Sequence, residues 1–221
     1  MDNKKEDLYL LIRDKNDCQD PKPCIFMDRD GVIIEDTHFV SNPEDVVLCK
    51  GAKSFLEEQR MLDNKVVVVT NQSGIGRNIF TWREYNNVTN KMLELLGNQV
   101  KIDAIYANSL LPNEFNGVSS WRKPGIGMLL AAEQDLKVDV KRSIFIGDRV
   151  TDMLAGWVAG VERLIMITNK SECDIEVELQ QIIAQAPRDY ASPSIAIVQK
   201  IEVHSCLSRV IIDQLCTADI N

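Results

Sequence analysis

Short runs of apolar, β-branched residues alternate along the chain with longer segments in which apolar residues recur every three or four positions. Five runs are typical of buried strands and cover residues 24–28, 65–71, 102–108, 143–148 and 163–168. Within the second run, Val66 to Val69 are continuously apolar, as expected of a strand that is covered on both faces. Strands that alternate with helices predict a parallel sheet joined by right-handed crossovers, and therefore an α/β fold.

The segments between these runs carry helical spacing. Residues 81–96 open with Thr81 and Glu84, the two residues of a capping box, and Gly97 suits the end of a helix. The alternation extends from residue 24 to about residue 186, which predicts one doubly wound, mainly parallel domain. Further helices are predicted over residues 51–62, from Pro124 onward, over residues 151–158 and around residues 176–186.

The two ends of the chain fit this alternation less well. Residues 1–22 are polar and flanked by proline, so we predict a partly ordered N-terminal extension followed by a single domain over residues 23–221. Residues 194–203, SIAIVQKIEV, are compatible with either a strand or a helix.

The composition indicates a protein with an ordinary core and no broadly basic surface. The 221 residues are 45% hydrophobic, and the formal net charge is −8. An acidic chain argues against broad binding to nucleic acid or to a membrane surface, but a few local cations suffice to bind a small anionic molecule. The six cysteines are scattered without a CxxC pair, and the two histidines give poor support to a zinc site. The sequence shows no stretch of about 20 apolar residues and no signal peptide, which predicts a cytoplasmic location with free thiols.

Carboxylates stand where predicted strands end. Asp28 ends the first run and Asp30 follows two residues later, while Asp148 ends the fourth run and Asp152 comes one turn after it. In an open parallel sheet, ligands bind beyond the carboxyl ends of the strands, so these carboxylates are expected at one rim. Oxygen ligands of this kind suit Mg²⁺. We predict that a Mg²⁺ ion is held by Asp28, Asp30, Asp148 and Asp152.

The same rim is expected to carry the groups that phosphoryl transfer needs. Asp28 can attack phosphorus and form an acyl phosphate, and Asp30 can protonate the leaving oxygen and later deprotonate water. Thr70, at the end of the second run, and Lys123, before a predicted helix, would bind the transferred phosphoryl oxygens. Each feature alone has an ordinary structural explanation, since DxDG is a common turn and a strand-end aspartate is usually a helix cap. Their order and placement together favour catalysis.

These segments resemble the motifs of the haloacid-dehalogenase-like (HAD-like) phosphatases over about residues 24–168. The motifs occur in order as FMDRDG, VVVVTNQSG, WRKPGIGM and IFIGDRVTDMLAG. True dehalogenases lack the second aspartate, Asp30, so the resemblance implies phosphate rather than halide chemistry. It also implies a Rossmann-like domain without a large cap domain, for which the lengths between the motifs leave no room.

The closer likeness is to a subgroup, the D,D-heptose 1,7-bisphosphate phosphatases and the related histidinol-phosphatases, on DRDGVIIED, TNQSGIGR and RKPGIGM. In this subgroup the Arg-Lys pair before proline and the residue after the fourth-motif aspartate contact substrate or phosphate. The stretch after the first motif lines the mouth of the site, and the residues after the second-motif threonine hold phosphate and substrate. The resemblance therefore implies substrate-binding roles for Asp36, Thr37, His38, Phe39, Asn71, Gln72, Ser73, Arg122 and Arg149.

One departure from the subgroup concerns a structural zinc, which many members hold with three Cys and one His in the loop before the third motif. Near the ligand positions this chain has Asn108, Leu110, Ser119 and Trp121, none of which is a usual zinc ligand. We therefore predict no zinc. Catalysis should survive, because zinc there shapes a loop, but the substrate preference inferred from the subgroup is weakened.

The leading substrate implied by the resemblance is D-glycero-D-manno-heptose 1,7-bisphosphate, which would lose its 7-phosphate during the synthesis of bacterial surface polysaccharide. Arg122 and Arg149 suit a substrate with a second anionic group, whereas histidinol is cationic, so the bisphosphate is favoured over histidinol phosphate. A DNA-end phosphatase and a non-catalytic binding module are less favoured, because the chain lacks a basic stripe and keeps both Asp28 and Asp30. We expect a monomer and interpret Arg77 as solvated.

Overall fold

The computed structural model describes residues 7–12, 20–185, 197, 200–212 and 215. Within them, the strands are β1 (Leu8–Ile12), β2 (Cys24–Met27), β3 (Lys65–Asn71), β4 (Ala104–Asn108), β5 (Ile144–Gly147), β6 (Arg163–Ile167) and β7 (Ile201–His204). They form one sheet in the order β1-β4-β3-β2-β5-β6-β7. Only β1 is antiparallel to its neighbour, so the predicted mainly parallel α/β sheet is confirmed.

Six α-helices connect or flank these strands in the described part of the chain. They are α1 (Ala52–Met61), α2 (Ser73–Gly76), α3 (Trp82–Leu96), α4 (Gly127–Leu136), α5 (Val150–Ala159) and α6 (Glu172–Gln185). The capping box of α3 is confirmed, since the Glu84 amide donates to Thr81 Oγ1 at 3.3 Å and the Thr81 amide donates to Glu84 Oε2 at 2.7 Å. None of the described helices is long and apolar enough to cross a membrane.

The helices cover both faces of the sheet, because alternate side chains of each strand point to opposite sides. On one face, Phe26 of β2 lies in a core cluster with Met128 of α4 and Leu154 of α5. On the other face, Met27 belongs to a second cluster with residues of α1 and α3, among them Met92. This doubly wound arrangement places β2 in the middle of the sheet, with β3 and β5 on its two sides.

An N-terminal strand was not predicted, because LYLLI is a short apolar run inside a polar, charged segment. Leu8–Ile12 nevertheless adds to the edge of the sheet, with Leu8 opposite Asn108 and Ile12 opposite Ala104 of β4. Tyr9 stacks on Trp82 with ring centroids 5.9 Å apart. Part of the predicted extension therefore belongs to the sheet.

Two other predictions differ from the structure in detail. The helix predicted from Pro124 begins at Gly127, because the amides of Gly125, Ile126 and Gly127 donate to carbonyl groups of the preceding loop. In the ambiguous segment 194–203, Ile201–His204 is a strand parallel to β6, which settles its last residues. Residues 194–196, 198 and 199 and the predicted helical residue Ala186 lie outside the described residues.

The edge at which the parallel strands end is left open by the connections around it. Between β2 and β3, residues 28–64 contain one α-helix and one short 3₁₀ turn, Pro43–Asp45. Between β3 and β4 lie only α2 and α3. Neither connection contains a further domain, in agreement with the expectation that no large cap covers the site.

Candidate active site

A cleft of about 440 Å³ opens at the carboxyl ends of the central strands. This is the crevice in which α/β sheets bind ligands. Thr37 is exposed nearby but is not among its lining residues, and Asp148 borders an adjoining hollow with Gly31 and Arg149. The cleft is lined by the other predicted site residues, Asp28, Asp30, Asp36, His38, Phe39, Thr70, Asn71, Gln72, Ser73, Arg122, Lys123, Arg149 and Asp152.

Asp28 lies at the floor of the cleft, directly after the central strand β2. Its main chain is fixed by the Asp28 amide, which donates to the Ile146 carbonyl of β5 at 2.9 Å. Its side chain is fixed on both oxygens, since the Arg29 amide donates to Oδ1 at 2.7 Å and Lys123 Nζ lies 2.9 Å from Oδ2. Burial, with the charges of Asp152 and Asp30, outweighs Lys123 and raises the pKa of Asp28 to about 6.

Lys123 is a fully buried cation that ties three parts of the site together. Its Nζ lies 2.9 Å from Asp28 Oδ2 and 2.6 Å from Asp152 Oδ1, and it donates to the Val69 carbonyl at 2.8 Å. An ammonium group has three protons, and three oxygens lie within 2.9 Å of this one. Burial lowers the pKa of Lys123, but the carboxylates of Asp152 and Asp28 outweigh it, and the pKa is raised. Lys123 is therefore a fixed positive charge beside the Asp28 carboxylate.

The main chain of Lys123 is held as firmly as its side chain. The Lys123 amide donates to Asn71 Oδ1 at 3.0 Å, and Asn71 Nδ2 donates to the Lys123 carbonyl at 3.1 Å. Asn71, which was predicted to bind substrate, thus engages the protein through both ends of its amide. Thr70, one residue earlier, is buried at the cleft and accepts a hydrogen bond from Gln72 Nε2 at 3.0 Å.

Three carboxylates form a cluster suited to a cation. One oxygen from each of Asp28, Asp148 and Asp152 lies within 4.8 Å of the others. Asp148 Oδ1 is buried and has no hydrogen-bond partner among the described residues. Burial, followed by the charges of Asp152 and Asp28, raises the pKa of Asp148 to about 8. A buried carboxylate oxygen without a proton donor, next to two further carboxylates, fits a hard divalent cation such as Mg²⁺.

Gly31 is required by the close approach of this cluster to the chain. A Cβ atom at Gly31 would lie 2.4 Å from Asp148 Oδ2, and the residue has a φ of +78°, in the left-handed region. The turn after β2 therefore brings Asp148 against the main chain only because this position has no side chain.

Asp152 and Asp30 both have protein partners, and their roles as metal ligands stay predictions. Both oxygens of Asp152 have protein partners, because Oδ1 pairs with Lys123 and Oδ2 accepts from the Arg149 amide at 3.0 Å. The cluster does not include Asp30. Arg29 Nη2 lies 2.9 Å from Asp30 Oδ1, and Gln72 Nε2 donates to Asp30 Oδ2 at 2.7 Å. The carboxylate of Asp30 thus lines the cleft and is held by Arg29 and Gln72, whose side chains are not hydrogen-bonded to the carboxylates of the cluster.

The mouth of the cleft is formed by the segment after the first motif. Arg149 Nη2 donates to Asp36 Oδ2 at 2.8 Å, and the His38 amide donates to Asp36 Oδ1 at 3.0 Å. His38 and Phe39 have φ values of 60° and 65°, which are rare for residues with side chains. The exposed Phe39 ring lies 6.5 Å from the Phe80 ring, between centroids. This strained turn places His38 and Phe39 at the entrance.

Three arginines add positive charge to the lining of the cleft. Arg77, Arg122 and Arg149 all line the cleft. Burial, followed by the charges of Arg149 and Arg77, lowers the pKa of Arg122 to about 10. Arg77, interpreted from the sequence as solvated, is exposed but belongs to this group. Nothing in the local pattern distinguishes Arg77 from a surface arginine, so only the fold reveals its position.

Hydrogen bonds and ring packing hold the loop before the third motif, for which no zinc is predicted. Asn108 is buried, and its Nδ2 donates to Asn71 Oδ1 at 3.0 Å and to the Trp121 carbonyl at 3.1 Å. The Trp121 ring lies 5.9 Å from the Tyr106 ring, between centroids. Arg122 Nη1 donates to the Leu110 carbonyl at 2.8 Å. The absence of zinc stays a prediction, and these contacts are an alternative means of fixing the loop.

Comparisons with known proteins agree with this geometry. The sequence matches the family model described as Polynucleotide kinase 3 phosphatase over residues 23–204. A protein of Escherichia coli (strain K12), named D-glycero-beta-D-manno-heptose-1,7-bisphosphate 7-phosphatase, is 34% identical over 161 residues, which are 71% of this chain and 84% of that protein. A protein of the same name from Mesorhizobium japonicum is 37% identical over 148 residues, which are 63% of this chain and 66% of that protein.

Solved structures show the same fold. A D,D-heptose 1,7-bisphosphate phosphatase from B. bronchiseptica, complexed with magnesium and phosphate, matches with a TM-score of 0.66 and 25% identity, over 84% of this chain and 94% of that chain. A HAD-like phosphatase from Mesorhizobium loti matches with a TM-score of 0.67 and 27% identity, over 84% of this chain and 97% of that chain. The chain therefore belongs to the Polynucleotide kinase 3 phosphatase family, within the HAD-like phosphatases.

Proposed function

We propose that the protein is a magnesium-dependent phosphatase that forms an aspartyl phosphate on Asp28. The observation that carries the proposal is the position of the Asp28 carboxylate, which lies at the floor of the cleft between a buried lysine and the carboxylate of Asp148. A carboxylate placed in this way can attack a phosphorus atom whose oxygens are neutralised by Lys123.

In the first step, Asp28 Oδ attacks phosphorus and the bond from phosphorus to the leaving oxygen breaks. Asp30 donates a proton to that oxygen, so an alcohol leaves. In the second step, water attacks the phosphorus of the acyl phosphate, Asp30 takes a proton from the water, and inorganic phosphate leaves with Asp28 restored. The main-chain clamp of Asn71 on Lys123 keeps the cation in place through both steps.

The acidic cluster is the part of the site that would hold the metal. Asp28 and Asp148 would be its carboxylate ligands, and Asp152 would act mainly by holding Lys123. Bound Mg²⁺ would neutralise phosphoryl oxygens and reduce the repulsion between the substrate and the carboxylates.

The substrate that we propose is D-glycero-D-manno-heptose 1,7-bisphosphate, which would lose its 7-phosphate. Arg77, Arg122 and Arg149 supply positive charge to the lining of the cleft, and this charge suits a substrate with a second phosphate. The names of the relatives support this choice. Histidinol phosphate is a less favoured candidate, because its cationic end would meet the same arginines.

A phosphate-release screen in Mg²⁺ tests the proposed function. Both anomers of the heptose bisphosphate should be compared with fructose bisphosphate, histidinol phosphate, nucleotides and a 3′-phosphorylated oligonucleotide. We expect the highest kcat/KM for one of the heptose bisphosphate anomers. A preference for the oligonucleotide, or no release from any of these compounds, would contradict the proposal.

Replacing Arg122 by methionine should weaken binding of the second phosphate of a bisphosphate substrate without affecting the phosphate that reacts. Loss of one charged hydrogen-bond donor is expected to lower kcat/KM for the bisphosphate about 10- to 100-fold, and to have little effect on a monophosphate that presents only the reacting group. Steady-state kinetics on both substrates measure this. Arg83→Met, at an exposed position of α3, is the matched control. Equal losses on the two substrates would exclude a subsite for a second phosphate.

The metal-free protein should show a specific dependence of stability on pH. Because the pKa values of Asp28 and Asp148 are raised in the folded state, to about 6 and about 8, the folded protein binds protons more tightly than the unfolded chain. The free energy of unfolding in EDTA should therefore fall as the pH rises from about 4 to about 8.

Asp148→Asn isolates this effect. In EDTA, the variant should gain stability relative to the wild-type protein across that pH range, as measured by urea unfolding, and Mg²⁺ should remove the advantage by stabilising only the wild-type cluster. A difference between the two proteins that is constant with pH would show that Asp148 is not held in a repulsive cluster.

A further inference from the structure

Arg29, between the two aspartates of the first motif, is a buried charge that the proposed reaction does not use. Its side chain is only 1% exposed. The guanidinium grips Asp30, because Nε donates to Asp30 Oδ1 at 3.2 Å while Nη2 lies 2.9 Å from Oδ1 and 3.1 Å from Oδ2. Nη2 also lies 3.2 Å from Gln72 Oε1, and Nη1 lies 3.4 Å from Thr89 Oγ1. Both sides of the guanidinium therefore have fixed partners.

Aromatic rings support the guanidinium from below. Its central carbon lies 4.6 Å from the centroid of the Tyr85 ring, and Tyr85 is fully buried. Tyr9 of β1 packs edge-on against Tyr85 at 5.1 Å, and Trp82, which stacks on Tyr9, does so at 5.4 Å, between centroids. The N-terminal strand and α3 thus hold the ring on which Arg29 rests.

Burial of a guanidinium is costly, and replacement of such ion pairs by apolar residues is often neutral for stability or even favourable. The planar fork of arginine fixes the orientation of a carboxylate better than a lysine does. Gln72 completes the grip by donating to Asp30 Oδ2 at 2.7 Å. Arg29 and Gln72 therefore fix the direction in which the Asp30 carboxylate points into the cleft.

We propose that Arg29, supported by the ring of Tyr85, is a positioning residue that aims the Asp30 carboxylate at the leaving oxygen of the substrate. The inference rests on the proposed function, in which a proton moves from Asp30 to that oxygen as the bond to phosphorus breaks. Correct placement of an acid within hydrogen-bond reach is what makes such a transfer efficient.

The dependence of the rate on the leaving group distinguishes positioning from a merely structural role. An alcohol needs a proton in order to leave, whereas 4-nitrophenolate does not. The quantity kcat/KM reports only the steps up to formation of the acyl phosphate, so it isolates this transfer. It should be measured with 4-nitrophenyl phosphate and with the sugar phosphate that the protein hydrolyses best, for Arg29→Met, Arg29→Lys, Tyr85→Leu and, as a reference, Asp30→Asn.

We expect Arg29→Met to lose about 10- to 100-fold on the sugar phosphate and less than about 3-fold on 4-nitrophenyl phosphate, with Asp30→Asn showing the same pattern more strongly. Arg29→Lys and Tyr85→Leu should fall between Arg29→Met and the wild-type protein. Arg142→Met, which removes an Arg–Asp pair with Asp139 outside the cleft, should leave both rates unchanged.

Equal losses on the two substrates in the Arg29 and Tyr85 variants, beside a selective loss in Asp30→Asn, would overturn the role of Arg29 and leave the proposed function intact. If Asp30→Asn also lost equally on both substrates, the assigned acid would be wrong, and the proposed mechanism would fail with it. Should Arg29→Met not fold, the Arg29→Lys and Tyr85→Leu comparison decides by the same criterion.

Discussion

Asp28→Asn is expected to lower kcat at least about 10⁴-fold, because the amide cannot attack phosphorus and no acyl phosphate can form. Phosphate release by the purified variant measures this. The neighbouring charges in the cleft remain, so the variant should still bind the substrate. The loss should therefore appear in kcat rather than in KM.

The same variant should remain folded, because the ionised Asp28 carboxylate destabilises the folded protein rather than stabilising it. Its raised pKa shows that burial and the nearby carboxylates disfavour the ionised form. We expect the free energy of unfolding at pH 8 in EDTA to fall by no more than about 1 kcal/mol, measured by urea unfolding. Turnover within tenfold of the wild-type rate, in a preparation free of contaminating phosphatase, would show that Asp28 is not the nucleophile.

Lys123→Met is expected to damage both stability and activity. Removal of the ammonium leaves the buried carboxylates of Asp28 and Asp152 without their shared cation, which should lower the free energy of unfolding by about 3 kcal/mol. Loss of the charge beside the transferred phosphoryl group should also lower kcat at least about 10²-fold. Urea unfolding and phosphate release measure the two effects.

Lys65 supplies a matched control for that variant. It is also a buried lysine, but its Nζ donates to the carbonyl of Leu136, away from the carboxylate cluster. Lys65→Met should lose about 1 kcal/mol and keep the wild-type kcat. Adding Asp152→Asn to Lys123→Met should restore part of the lost stability but not the activity. If the two lysine variants proved equally stable and equally active, the pairing of Lys123 with the carboxylates would have no energetic importance.

The parallel sheet and the catalytic edge could be predicted from the sequence because both follow from short-range patterns. Continuous apolar runs such as Val66–Val69 indicate buried strands, and strand-end residues such as Asp28 and Asp148 meet at one edge in any parallel sheet. The structure brings these residues together, and the fold is that of the HAD-like relatives.

What could not be predicted depends on which side chains meet across the fold. The sequence does not show that Arg29 is buried on Tyr85, that Gln72 holds Asp30 or that Asn71 clamps the main chain of Lys123. Each of these contacts joins segments distant in sequence. Polar side chains expected to face substrate can therefore be occupied inside the protein.

The strand β1 and the start of α4 were missed for a different reason. LYLLI at residues 8–12 is too short and too isolated in a charged segment to outweigh its surroundings, and its role becomes clear only when β4 offers an open edge. Pro124 is a residue at which a helix can start, but the amides that follow it donate to carbonyl groups of the loop. The helix therefore begins only at Gly127. In both cases tertiary contacts override a local preference.

The aspartyl phosphate on Asp28 is tested most directly by identifying the residue that is phosphorylated during turnover. The protein would be mixed with its best sugar phosphate in Mg²⁺, quenched in acid, and treated with borohydride, which reduces an aspartyl phosphate to homoserine. Peptide mass spectrometry would then locate the change. We expect homoserine at residue 28 in the wild-type protein and none in Asp28→Asn. Modification at another residue, or none during active turnover, would contradict it.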